Sequence, residues 1–368
     1  MKTSYFDPFY IEFDIPFDQF ELESGETVLC PLSGLNAIPW LLTGKNINVH
    51  IYESFKPFQD ITQGLINLSY KPFAPIPYKF LYDRSFEEKI ATMIKRKSGL
   101  TMFTPIEWQY IDSCLQQIND PMDRILLFDT LRRKRRNNTE WPPSVQFTDH
   151  DGDLYPFKPD IEMEESYHQI KKRLELYNID VSLVTLHTEP YLDTKPKANV
   201  YDGIFFPIPC TYPPNAHYDQ IKPEINILYG IGDHNIKKYT YHIPHPENLP
   251  NPKFIHIQSK LARLWLFEQS QKQIISNQDY EKYICYLSKL NKFFKYISIN
   301  LKKYHNLVIQ IPIDDQSRNM MLDRLCKDML GRCGLKLINS QSNKVCQIHT
   351  YKKMCHPFEW HIIANKDE

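Results

Sequence analysis

The sequence predicts an α/β fold: a Rossmann-like, doubly wound, mostly parallel sheet with an antiparallel C-terminal edge strand and large helical or loop insertions. Three observations carry that expectation. A strand, a turn, a helix and a second strand follow one another within residues 26–53. Short β-branched and aromatic runs return at 181–186, 201–206 and 307–311, separated by longer polar or helix-periodic stretches. The chain then closes on a helix and on strand-like runs whose alternation fits a hairpin.

The elements are justified in order. Residues 1–23 alternate aromatics with acids and prolines and read as an arm laid over the body. The first strand, 26–30, is an apolar run stopped by Pro31, and Leu32-Ser33-Gly34-Leu35-Asn36 is a turn signal. Residues 37–42 read as a helix, because Pro39 is tolerated in a first helical turn, and Gly44 is expected to close it. The second strand, 47–52, leads straight into Glu53. Parallel strands require a crossover, and the short helix between them supplies one of the right-handed kind.

A helix is expected over 58–70, then others at 85–97, 104–119, 120–136 and 161–177, with loops at 137–160. We therefore read 71–177 as a mainly helical insertion, and 24–70 with 178–366 as the core. Within that core, 208–303 forms a second insertion that would shape a substrate pocket. It is Pro- and His-rich around Ile225-Asn226-Ile227-Leu228-Tyr229, then helical at 254–276 and 278–303. A helix over 317–330 and a hairpin complete the chain, the hairpin resting on alternating Gln347, His349 and Tyr351 and on Trp360-His361-Ile362-Ile363.

Composition narrows the function. In 368 residues, 44 Lys and Arg balance 44 Asp and Glu, which excludes a wholly basic nucleic-acid coat and an acidic solvating tail. The eight cysteines are dispersed without a Cys-x-x-Cys pair, as expected of reduced thiols in the cytoplasm. Asp7, Pro8, Glu12 and Asp14 break the N-terminal apolar residues, so no signal peptide is read there, and no run approaches the roughly 18 apolar residues of a membrane helix.

In an open α/β sheet, ligands bind beyond the carboxyl ends of the strands. Ser33, Gly34 and Asn36 form a small, permissive turn after the first strand, and Glu53 after the second can accept hydrogen bonds from ribose hydroxyls. The dinucleotide fingerprint is absent, because Leu32 and Ala37 occupy two of its glycine positions, which argues against a nicotinamide cofactor.

The run Val28-Leu29-Cys30-Pro31-Leu32-Ser33-Gly34-Leu35-Asn36 resembles the first motif of class I S-adenosylmethionine-dependent methyltransferases. The resemblance places Gly34 on the central glycine, Asn36 on the last and Glu53 on the ribose-binding acid. His187 and Glu189 stand where an acid after strand three would meet adenine. Tyr201-Asp202-Gly203-Ile204-Phe205-Phe206 resembles the family's fourth strand, and the closing helix and hairpin resemble its end. Cys30 and Leu32 depart from the pattern, standing where the family has an acid and a glycine. After the fourth strand, Phe206, Pro207 and Tyr212 would wall an acceptor pocket, but the Asn or Asp that grips a base amino group is missing.

A narrower resemblance, in Gly34-x-Asn36-Ala37, Glu53 and Pro57-Phe58-Gln59, is to the family that moves the 3-amino-3-carboxypropyl group of S-adenosylmethionine onto diacylglycerol. The expectation is thus an S-adenosylmethionine-dependent transferase, most simply a methyltransferase with an unidentified acceptor. Methyl transfer from a sulfonium mainly needs alignment and exclusion of water, so no base is named. Two alternatives stay open: aminocarboxypropyl transfer, and a catalytically inactive scaffold for a protein or nucleic acid. Arg132-Arg133-Lys134-Arg135-Arg136 would serve that scaffold, or a nuclear address, as an exposed basic run replaceable by Gln without loss of folding. No metal site is expected, since Cys346, His349, Cys355, His356 and His361 lack finger spacing. Glu53 is expected at a pocket edge, where its removal leaves stability unchanged.

Overall fold

The computed structural model describes residues 20–32, 37–76, 105–134, 159–208, 224–230, 257–272, 274–312, 320–344 and 358–366. Ser33, Gly34, Asn36, Arg135, Arg136, Tyr212, the expected helix at 85–97 and the stretch 345–357 lie outside the described residues.

The opening unit is β1 (Thr27–Cys30), α1 (Ile38–Thr43), β2 (Asn48–Tyr52) and α2 (Lys56–Tyr70). Three helices follow: α3 (Pro105–Gln117), α4 (Pro121–Lys134) and α5 (Pro159–Leu176). Next come β3 (Val184–His187) and β4 (Tyr201–Pro207), then α6 (Lys260–Gln271) and α7 (Asn277–Asn300). The chain closes with β5 (Leu301–Pro312), α8 (Leu322–Arg332), β6 (Lys336–Lys344) and β7 (Phe358–Asn365).

The strands form a seven-stranded sheet in the order β3-β2-β1-β4-β5-β7-β6. Pairing is parallel from β3 through β5, while β7 runs antiparallel to both β5 and β6. The α/β, doubly wound architecture is therefore the observed one. The antiparallel C-terminal strand sits one place in from the edge, and its hairpin partner is β6. The winding goes outward from β1 to β3, then recrosses to β4, so the topological switch falls between β1 and β4.

Strand alternation builds a core on each face. Val28, Cys30, Phe205 and Val308 point to the layer of α1, α2, α4 and α5. Leu29, Ile204, Phe206, Leu307 and Ile309 point to the layer of α6, α7 and α8. All nine are fully buried. Cys30 belongs to the first layer and Cys326 to the second, and burial pushes both thiols well above their usual range. Residues 20–22 lie over the first layer: Phe20 meets Phe205 at 6.2 Å, and Leu22 covers Gly203.

Local chemistry moved several expected boundaries. Residues 181–183 make a 3-10 turn ahead of β3, because Asp180 accepts hydrogen bonds from the Ser182 backbone N–H (2.9 Å) and hydroxyl (2.6 Å). Helix α6 starts later than periodicity suggests, where Ser259 caps it by accepting from Ala262 N at 3.0 Å. Residues 224–229, the apolar run within the Pro- and His-rich stretch, are helical, and Tyr229 donates to the buried Asp60 of α2 at 3.1 Å. Gly44 ends α1 with ordinary right-handed backbone (φ −63°), so it is not a left-handed cap. It is glycine for space: a Cβ there would lie 2.5 Å from the Tyr177 carbonyl oxygen.

The expectation of an exposed basic run is overturned for its first two members. Arg132 is 5% exposed, with its guanidinium over the Phe128 ring. Arg133 pairs with Asp129 and Glu165, both at 3.0 Å, and donates to the Glu162 carbonyl (2.8 Å) and the Ser166 hydroxyl (2.7 Å). Helix α5 supplies the carboxylate, carbonyl and hydroxyl partners that turn Arg133 inward, a contact between sequence-distant segments that the local run does not reveal.

Candidate functional site

The carboxyl ends of β1, β2 and β3 lie side by side, next to the switch between β1 and β4, where this architecture binds ligands. Glu53 leaves the end of β2 and is 4% exposed. Its backbone N–H donates to the His187 carbonyl at 2.9 Å, extending the β2–β3 ladder by one step. Its carboxylate accepts from Phe55 N at 2.9 Å, where the helix N-terminus favours negative charge. The expectation that Glu53 is an edge carboxylate without structural work is therefore corrected: it is buried and closes the turn into α2.

Gln59, one turn into α2, donates from its amide nitrogen to the carbonyls of Glu53 (2.8 Å) and Thr188 (3.0 Å). It thereby clamps the ends of β2 and β3 together. Sequence reasoning named Gln59 within a resemblance and gave it no role.

On the face toward α7, the β2–β3 register sets Tyr52 opposite His187, and their rings stack at 4.3 Å and 11°. His187 Nε2 and His50 Nδ1 are 3.1 Å apart and share one hydrogen bond. Glu189 lies 3.7 Å from His187 Nδ1. Tyr201 packs edge-on against His50 at 5.5 Å. Tyr191 meets Tyr52 edge-on and stacks on Phe293. His50 and Tyr52 were missed as site-forming residues; their signal was the strand period, which sets them on one face and Val49 and Ile51 on the other.

Burial lowers the pKa of both imidazoles below the usual 6.5. The charge of His187 adds to the effect at His50, while Glu189 opposes it at His187. Both rings bind protons more readily in the unfolded chain. Stability is therefore expected to hold above the unfolded value and to fall as pH drops below about 6.5 toward the folded values. Thermal unfolding between about pH 7.5 and 5 checks this. The slope should flatten in His50→Gln, and an unchanged slope would remove the pair from the account.

Of the residues expected to wall an acceptor pocket, Pro207 stands half-buried at the carboxyl end of β4. Phe206 is fully buried, stacked on Phe293 at 5.1 Å and edge-on to Phe294 at 5.9 Å, and packs β4 against α7.

No protein-family model matches the chain, and no curated protein matches it. Among solved structures, it is similar to a Galdieria sulphuraria chain assigned as a sarcosine dimethylglycine methyltransferase. Identity is 9% and the TM-score 0.31, over 95% of this chain and 82% of that one. It is also similar to a Bordetella parapertussis chain described as a possible exported protein, with 9% identity and a TM-score of 0.22, over 85% of this chain and 96% of that one. Among the described residues, no helix is long and apolar enough to cross a membrane.

Proposed function

We propose that the chain is an S-adenosylmethionine-dependent transferase, most simply a methyltransferase. The observation that carries this reading is the placement of Glu53: an acid at the end of β2, beside the switch point, at the start of α2. A sheet closed by a helix and an antiparallel hairpin also agrees with the resemblance to class I methyltransferases. A carboxylate offers about four acceptor positions, so the bond from Phe55 N is compatible with further bonds from ribose hydroxyls. Bound S-adenosylmethionine would supply a methyl group activated on a sulfonium.

In this reading, Glu53 holds the ribose, and His187 with Glu189 forms the adenine end. Gln59 acts as a positioning residue by locking the two strand ends that carry them. Its engagement with two carbonyls accounts for its presence without aminocarboxypropyl chemistry. Pro207 and Tyr212 remain the candidates on the acceptor side, and Ser33, Gly34 and Asn36 remain the candidates from the sequence for holding the cofactor. The burial of Arg132 and Arg133 in intramolecular contacts weakens the nucleic-acid scaffold reading.

Calorimetry with S-adenosylmethionine and S-adenosylhomocysteine tests the proposal. Glu53→Gln keeps an oxygen able to accept from Phe55 N while removing the charge. Charge-assisted bonds contribute roughly 1.5–3 kcal/mol each, so binding should weaken by about one to two orders of magnitude. Glu53→Ala should in addition lose about 1 kcal/mol of stability, as for loss of a helix cap. Equal binding by Glu53→Gln and wild type would sink the site. No binding of either ligand by wild type at roughly millimolar concentration, weaker than about 4 kcal/mol, would sink the enzyme reading.

A further inference from the structure

We propose that Glu26, Asp202 and His305 form a site for one divalent first-row transition cation at the amino-terminal edge of the sheet, opposite the end that carries Glu53. The three residues come from three neighbouring strands. Glu26 immediately precedes β1, Asp202 is the second residue of β4, and His305 lies on β5. One ligand atom from each lies within 4.8 Å of the others. Metal–nitrogen and metal–oxygen bonds of about 2.0–2.2 Å put ligand atoms at most roughly 4.4 Å apart, so the approach required is a few tenths of an ångström.

An irregularity in the sheet creates this convergence. Tyr201 pairs with Leu301, but Gly203 pairs with Asn306, so the four residues 302–305 of β5 face the single Asp202 of β4. Tyr304 takes up the turn with left-handed backbone (φ 64°) and is 74% exposed. The bulge turns both Lys302 and His305 toward Asp202: Lys302 Nζ is 2.5 Å from Asp202 Oδ1, and His305 Nε2 is 3.8 Å from the same oxygen.

The two carboxylates are held from behind. Asp202 Oδ2 accepts from Thr27 N at 3.1 Å, and Glu26 Oε2 accepts from Glu23 N at 2.7 Å. Supporting hydrogen bonds of this kind fix ligand orientation. Asp202 is 8% exposed, so two acids brought this close repel each other unless a cation stands between or beside them. The Lys302 ammonium partly meets that need. Its side chain is 40% exposed, so it can swing into solvent and yield to a doubly charged ion. One imidazole with two carboxylates suits zinc, manganese, cobalt or ferrous iron, and leaves coordination positions for water. A bound ion would fasten the starts of β1, β4 and β5 together and stabilise the fold by mass action.

The experiment titrates the full chain, stripped with a chelator and desalted, with Mn2+ and follows the free ion by electron paramagnetic resonance. Manganese is the probe because Cys346 and Cys355, if they bound a metal, would select softer ions. One ion should bind with a dissociation constant of about 100 μM or tighter, about 5.5 kcal/mol at that limit. Glu26→Gln and His305→Gln should each weaken binding about tenfold or more, while Lys302→Met should tighten it by removing the competing cation. Asp202 is left intact, since it also holds Thr27 and Lys302. Absence of saturable binding by both wild type and Lys302→Met at roughly 1 mM overturns the proposal. Binding that survives the combined Glu26→Gln, His305→Gln variant overturns it as well, by placing the ion elsewhere.

Discussion

Replacing Arg133 by methionine is expected to destabilise the chain by about 3 kcal/mol or more, although the residue belongs to a run that looks like solvated surface. The guanidinium is 12% exposed and sits between Asp129 (side chain 3% exposed) and Glu165, with two further bonds to α5. Methionine preserves the stem and removes every one of those bonds. Asp129 then remains as a buried carboxylate that has lost this cation, which costs more than the pair itself contributed. The midpoint of urea unfolding is the measurement. Adding Asp129→Asn to the variant should recover part of the loss, because the stranded charge is its largest component. A midpoint equal to wild type would return Arg133 to the surface.

Gly64→Val is the second large effect, also about 3 kcal/mol or more. Gly64 lies in the interior of α2, where glycine is worse than alanine by roughly 1 kcal/mol on helix propensity alone. Its position is explained by what faces it. A Cβ there would stand 2.5 Å from the Pro121 carbonyl oxygen and 2.8 Å from Ile125 Cγ2, at the crossing of α2 and α4. Backbone cannot yield as a flexible side chain does, so the two helices would have to separate. Gly64→Ala separates the terms: a variant more stable than wild type would show that propensity wins and that the crossing opens freely.

These two residues show where sequence legibility ends. Although their division between two faces came from the structure, the runs Val28-Leu29-Cys30 and Ile204-Phe205-Phe206 were readable as buried strands because a short continuous apolar run is local. So was Pro39 in the first turn of α1. The end of β2 at Glu53 was readable for the same reason, but not the bond from Phe55 N or the Gln59 clamp, which depend on how α2 departs from the sheet. Arg133 looked exposed because α5, which receives it, lies across residues 135–158 from α4. The alternating Gln347, His349 and Tyr351 on which the hairpin was read lie outside the described residues. Among the described residues the polar β6 pairs with β7, since an edge strand can be held by its backbone ladder with few apolar side chains.

The division of buried thiols between the two faces of the sheet gives the molecule an internal clock. Cys30 and Cys326 are both fully enclosed and disinclined to ionise, and each is sealed by a different set of helices. A thiol reagent reaches either one only when its own layer parts from the strands. The order in which the two sulfurs are captured therefore distinguishes a molecule that comes apart face by face from one that loses both faces in a single event.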